Sequence, residues 1–130
     1  MAKKKAKITK QTTVKNSSLP EAIIKGIQEL KGQNIVWLDL SHIPTAVCQQ
    51  FIICEGTATT QVNAIADSIK EVVKKETKEI PFHSEGYENS QWILIDFVTA
   101  VVHVFLPEVR EYYNLEDLWA DAKVVELKEK

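Results

Sequence analysis

Phe51-Ile52-Ile53-Cys54-Glu55-Gly56-Thr57-Ala58-Thr59-Thr60-Gln61-Val62-Asn63-Ala64-Ile65-Ala66 changes its hydrophobic period partway along, and that change decides the fold. Phe51 to Cys54 is a continuous apolar run, too short for a helix and bounded by turn-forming residues, which reads as a buried strand. From Val62 onward the apolar positions Val62, Ile65, Ala66, Ile69, Val72 and Val73 recur at spacings of three and four, one face of an amphipathic helix. Gly56 and the threonines lie between the two. Backbone N–H groups at such a junction can cradle an anion. One glycine with no lysine after it is not a P-loop, however, and the threonines read as plain helix caps.

Upstream, Ser18-Leu19-Pro20-Glu21 has the form of a capping box with proline in the first turn. Ile23, Ile24, Ile27 and Leu30 continue it as an apolar stripe, and Gly32 is expected to end this helix. Ile35-Val36-Trp37-Leu38-Asp39-Leu40 then reads as a strand. Downstream, three more strands are expected at Ile80 to His83, Gln91 to Phe97 and Ala100 to Leu106, the last two forming a hairpin. Val98 and Thr99 disfavour the positive φ of the tightest hairpin turns, which predicts a longer or bulged connection. Pro107 stops the final strand and opens a short helix through Tyr113, followed by a turn over Leu115 to Ala120. Helices and strands in this order indicate a single α/β domain, a mixed sheet of about five strands flanked by helices.

At 130 residues, 45% hydrophobic and 26% charged, the chain has the composition of one soluble globular domain. No apolar run approaches the roughly 18 residues of a membrane span, and no apolar segment follows the N-terminal lysines as in a secretory signal. The two cysteines, Cys48 and Cys54, are too few for a disulfide scaffold and read as buried thiols in a reducing compartment. Six lysines and no acid fall within the first fifteen residues; removing them from the 16 basic residues leaves ten against 18 acidic, about −8 on the body. An acidic body repels nucleic-acid phosphate and suits a basic protein partner. The sequence therefore divides into a disordered basic tail over 1–17, a domain over 18–121 and a charged C-terminal end over 122–130.

Catalytic chemistry is hard to assemble. No serine sits in a nucleophile elbow. Asp39 and Asp96 could meet across the sheet to hold a metal for nucleotidyl transfer, but the usual closely spaced carboxylate pair and glycine-serine loop are missing. His42, His83 and His103 lack metal-ligand spacing. Strand alternation sorts Ile93, Ile95 and Phe97 onto an apolar face and Trp92, Leu94 and Asp96 onto a mixed one, which His103 shares with Val101 and Phe105. A mixed aromatic and polar face is how an interface core often looks, although a covering helix would give the same pattern. Phe105, Tyr112, Tyr113, Leu118 and Trp119 cluster beside the single arginine, Arg110, and these types dominate protein–protein hot spots. The alternative is that the short helices fold these rings back onto the sheet.

Taken in order, Phe51-Ile52-Ile53-Cys54-Glu55-Gly56-Thr57 through Ala64-Ile65-Ala66-Asp67, then Trp92-Ile93-Leu94-Ile95-Asp96 with Val102-His103-Val104-Phe105, resemble the ribosomal silencing factors, the RsfS or Iojap family. The ending resembles that family too: Pro107-Glu108, Arg110, Tyr112-Tyr113, Leu115-Glu116 and Leu118-Trp119. The resemblance implies a nucleotidyltransferase-like fold used without catalysis and without a cofactor. It implies docking on the large ribosomal subunit, at large-subunit ribosomal protein number fourteen, where a bound domain blocks joining of the small subunit and represses translation when nutrients are short. It carries the partner-binding surface onto Trp92, Asp96, His103, Phe105, Glu108, Arg110, Tyr112, Tyr113, Leu115 and Trp119. A bacterial cytoplasmic location, no membrane partner, and a monomer or weak homodimer are expected, with room for a weak ribosomal RNA contact by the Lys-rich tail. The alternatives are a metal-dependent nucleotidyl-transfer enzyme on the same fold and a large-subunit assembly factor. The chain departs from the family at Gln49-Gln50, where an Asp-Tyr pair is common, and at Phe97-Val98-Thr99, where the turn often holds glycine or aspartate.

Overall fold

The computed structural model describes residues 18–46, 48–119 and 122–125. The tail assigned to residues 1–17 lies outside the described residues. The chain runs α1 (Leu19–Glu29), β1 (Gln33–Asp39), β2 (Gln50–Glu55), α2 (Thr59–Thr77), β3 (His83–Glu85), β4 (Trp92–Asp96), β5 (Ala100–Phe105), α3 (Pro107–Tyr113), a 3₁₀ turn (Leu115–Trp119) and β6 (Lys123–Val125). The strands form one sheet in the order β3-β4-β5-β2-β1-β6. β2 and β5 pair in parallel and every other pairing is antiparallel. The sheet is mixed, as expected, but has six strands rather than about five. β6 falls in the stretch read as a charged end, where two valines between charged residues offered too short an apolar pattern to register as a strand.

Strand alternation sends Ile52, Cys54, Ile93, Ile95, Val102 and Val104 to one face, where they form a core with the apolar stripes of α1 and α2. The capping box of α1 forms as its sequence requires: the Ser18 hydroxyl accepts from the Glu21 N–H, and the Glu21 carboxylate accepts from the Ser18 N–H, both at 3.3 Å. The helix ends at Glu29, with Lys31 rather than Gly32 in the left-handed position (φ 61°). The threonine caps expected for α2 do not form. Ala58 is the N-cap, and Gln61 reaches back from inside the helix to accept from the Thr57 N–H at 2.7 Å. This bond braces the turn that leads into the helix and satisfies no N–H group of the helix itself.

The two helices approach closely at Gly26. A Cβ there would lie 2.7 Å from the Ile69 Cα, and the Ser68 hydroxyl donates to the Gly26 carbonyl at 2.8 Å. Alanine is the better helix former in isolation, yet Gly26→Ala is expected to destabilise by about 1–3 kcal/mol because backbone, not a flexible side chain, must move. A thermal melt checks this; an unchanged or raised melting temperature would contradict the close packing.

The opposite sheet face is covered only in part. Phe51, Ile53, Phe105 and Leu38 form a second core beneath the 40–48 loop and α3. Toward its β3–β4 end this face is less covered: Leu94 and Asp96 are half-buried, and His83 and Glu85 are exposed.

Candidate functional site

Two devices bring the site together, a tight hairpin and a short helix. The β4–β5 connection is tight, not long or bulged as its sequence suggests. Val98 takes φ 77°, the Thr99 N–H donates to the Phe97 carbonyl at 3.0 Å, and the Asp96 carboxylate accepts from the Val98 N–H at 2.7 Å. A β-branched residue at positive φ is unfavourable, and the Asp96 carboxylate together with the flanking ladder compensates. Asp96 thus holds the turn while standing half-buried on the open face.

The register pairs Trp92 with Phe105, Leu94 with His103 and Asp96 with Val101. His103 is buried, its Nδ1 accepting from the Trp92 Nε1–H at 2.9 Å. An indole can only donate, so this bond fixes His103 as the neutral tautomer with its proton on Nε2. The Trp92 ring lies 4.9 Å from Phe105 and 4.8 Å from Tyr113, and Tyr112 packs edge-on against Tyr113 at 5.0 Å. The aromatic residues therefore form a graded stack. Phe105 is fully enclosed at the bottom, Trp92 is half-buried, and Tyr113 and Tyr112 are 51% and 81% exposed at the top.

Burial pushes the His103 pKa down to about 4. Between that value and an ordinary histidine near 6.5, the unfolded chain binds a proton that the folded chain refuses, so stability falls as pH drops through this window. The loss should be on the order of 3 kcal/mol for the full interval. His103→Gln keeps an acceptor for the Trp92 indole and cannot titrate. Melting temperatures at pH 7 and pH 4.5 should therefore fall further for the native protein than for the variant; a parallel fall in both would remove His103 as the cause.

The other sequence-selected residues take different places. Glu108 is exposed on the first turn of α3, and Leu115 packs half-buried against the second core. The Trp119 side chain lies outside the described residues. Arg110, grouped with the contact residues by its type, is buried: its Nη1 donates to the Asn34 carbonyl at 2.6 Å and to Glu55 at 3.1 Å, and its Nη2 donates to Glu116 at 2.7 Å. Sequence reading missed His83 and Glu85. β3 lies at His83–Glu85 rather than Ile80 to His83, and its register sets His83 beside Asp96 and Glu85 beside Leu94 on the open face. The open face is thus a strip of Leu94 and aromatic rings edged by Asp96, Glu85 and His83.

Asp39 and Asp96 do not meet. β5 and β2 lie between their strands, about 14 Å of sheet, and Asp39 is engaged instead as a turn acceptor from the Ser41 N–H at 2.9 Å. Among the described residues no cluster of three or more His, Cys, Asp or Glu side chains could hold a metal. Both cysteines are buried and unbridged, and burial pushes their thiols up, away from the reactive thiolate. No described helix is long and apolar enough to cross a membrane.

Comparison with known proteins gives a consistent answer. A family model described as ribosomal silencing factor during starvation matches residues 13–130. A ribosomal silencing factor of Halalkalibacterium halodurans is 40% identical over 112 residues, covering 86% of this chain and 94% of that one. A crystal structure of a Chromobacterium violaceum protein superposes with a TM-score of 0.73 at 36% identity, covering 86% of this chain and 88% of the other. A Mus musculus protein named for mitochondrial assembly of the ribosomal large subunit is 35% identical over 71 residues, 53% of this chain and 31% of that one.

Proposed function

The chain belongs to the ribosomal silencing factor family, and from that premise we propose that it represses translation by occupying the large ribosomal subunit. The contact is with large-subunit ribosomal protein number fourteen, and the bound domain blocks joining of the small subunit. The observation that carries the reading is the exposed Tyr112–Tyr113 pair standing on the Trp92–Phe105 stack beside a partly covered sheet face. Rigid aromatic rings backed by a packed base bury a large area at little entropic cost, which is what an interface anchor needs. Trp92, Tyr112 and Tyr113 supply apolar contact; Asp96 and Glu108 meet basic groups of the partner; His103, Phe105, Arg110 and Leu115 support the surface from below. The acidic body, about −8 without the first fifteen residues, favours a basic ribosomal protein, and the Lys-rich tail adds a weak contact to ribosomal RNA. The protein acts in the cytoplasm by competition for a surface, governed by affinity and concentration, with neither turnover nor cofactor.

Co-sedimentation with separated subunits tests this. The protein should pellet with large subunits, not small ones, and free ribosomal protein fourteen should displace it. Binding to neither subunit would sink the reading. A second reading, a factor that assists large-subunit assembly, is favoured by the name of the mouse relative; it expects association with immature large particles and loss from mature ones.

A further inference from the structure

We propose that Arg110 is the positioning residue of this interface: its fork fixes the angle at which α3 presents Tyr112 and Tyr113, and it acts through those rings rather than by touching the partner. The inference rests on the interface reading above. α3 is seven residues long and has no side-chain N-cap, so it cannot hold its own orientation. Val109 packs its apolar side against the second core, and Tyr113 rests on Trp92. What remains is Arg110, whose side chain is 10% exposed and whose donors reach three separate elements. One is the Asn34 carbonyl on β1, which the positive φ of Asn34 (51°) and the adjacent strand irregularity accompany. The second is Glu55 at the end of β2, itself held by the Asn34 side-chain amide at 3.0 Å. The third is Glu116 in the 3₁₀ turn after the helix. The same helix turn that carries Arg110 inward carries Tyr113 out onto Trp92 at 4.8 Å. A planar fork with fixed donor directions constrains orientation in a way a single ammonium cannot.

Arg110→Lys keeps the charge and removes the fork. It is expected to weaken association with large subunits about tenfold or more while keeping a cooperative melt. Placed in a Tyr112→Ala/Tyr113→Ala background, it should add less than about twofold, because its effect passes through the absent rings. In the free protein, the nuclear Overhauser contact between the Trp92 and Tyr113 rings should weaken in Arg110→Lys. Glu116→Gln removes one arm, expected to give a smaller loss of a few-fold, and serves if the lysine variant does not fold. Native-like binding by a folded Arg110→Lys, or a loss that multiplies undiminished onto the double tyrosine variant, would overturn the proposal. If the double tyrosine variant itself bound like the native protein, the interface reading would fail, and the ring contact would still decide the positioning role: its retention in Arg110→Lys overturns that role.

Discussion

Tyr112→Ala is expected to weaken binding to the large ribosomal subunit by about 2 kcal/mol, roughly thirtyfold, with no more than a small change in melting temperature. Tyr112 is 81% exposed and packs edge-on against Tyr113, so its removal opens no cavity in either core. A ring that contributes little to folding yet is held on a packed base has its area available for a partner. Tyr113→Ala should cost a similar amount of binding and also loosen Trp92, since the two rings lie 4.8 Å apart. Equilibrium binding of the purified variants, with a melt of each, separates the two contributions. Native affinity in Tyr112→Ala would remove it from the interface.

Gly86→Ala is expected to have the largest effect on stability of any single methyl addition considered. Gly86 sits at φ 100° in the turn between β3 and β4, and a Cβ there would lie 2.1 Å from the Trp92 carbonyl oxygen. Two costs combine: an L-residue at positive φ loses about 1–2 kcal/mol, and overpacking against backbone adds about 1–3 kcal/mol. The expected loss is thus about 2–5 kcal/mol, a drop of roughly 6–25 °C in melting temperature for a domain of this size. The atom struck belongs to Trp92, so whatever the turn does to relieve the clash also disturbs the aromatic stack. A shift of less than about 3 °C would mean the turn is not pinned against β4.

How much of this was legible in the sequence follows from the range of each interaction. The capping box at Ser18 and Glu21, the α2 stripe and the alternation of Ile93 and Ile95 against Trp92 and Leu94 are local patterns, and all three appear as read. The misses depend on partners distant in sequence. β6 is a strand only because β1 offers it an edge, and His83 and Glu85 join the open face only through the β3–β4 register. Val98 adopts a conformation its side chain disfavours because Asp96 and the β4–β5 ladder hold both ends of the turn. Arg110 shows the same limit in the site itself. Its residue type points to an interface, whereas its burial follows from Asn34 and Glu55, more than fifty residues away in the chain.

The central claim is tested most directly by subunit joining. Large subunits are incubated with rising concentrations of the protein, small subunits are added, and joined ribosomes are followed by light scattering beside the measured occupancy of the large subunit. The joined fraction should fall along the same concentration curve as occupancy rises, and Tyr112→Ala should shift both curves together. Full joining on large subunits that still carry the protein would contradict steric silencing.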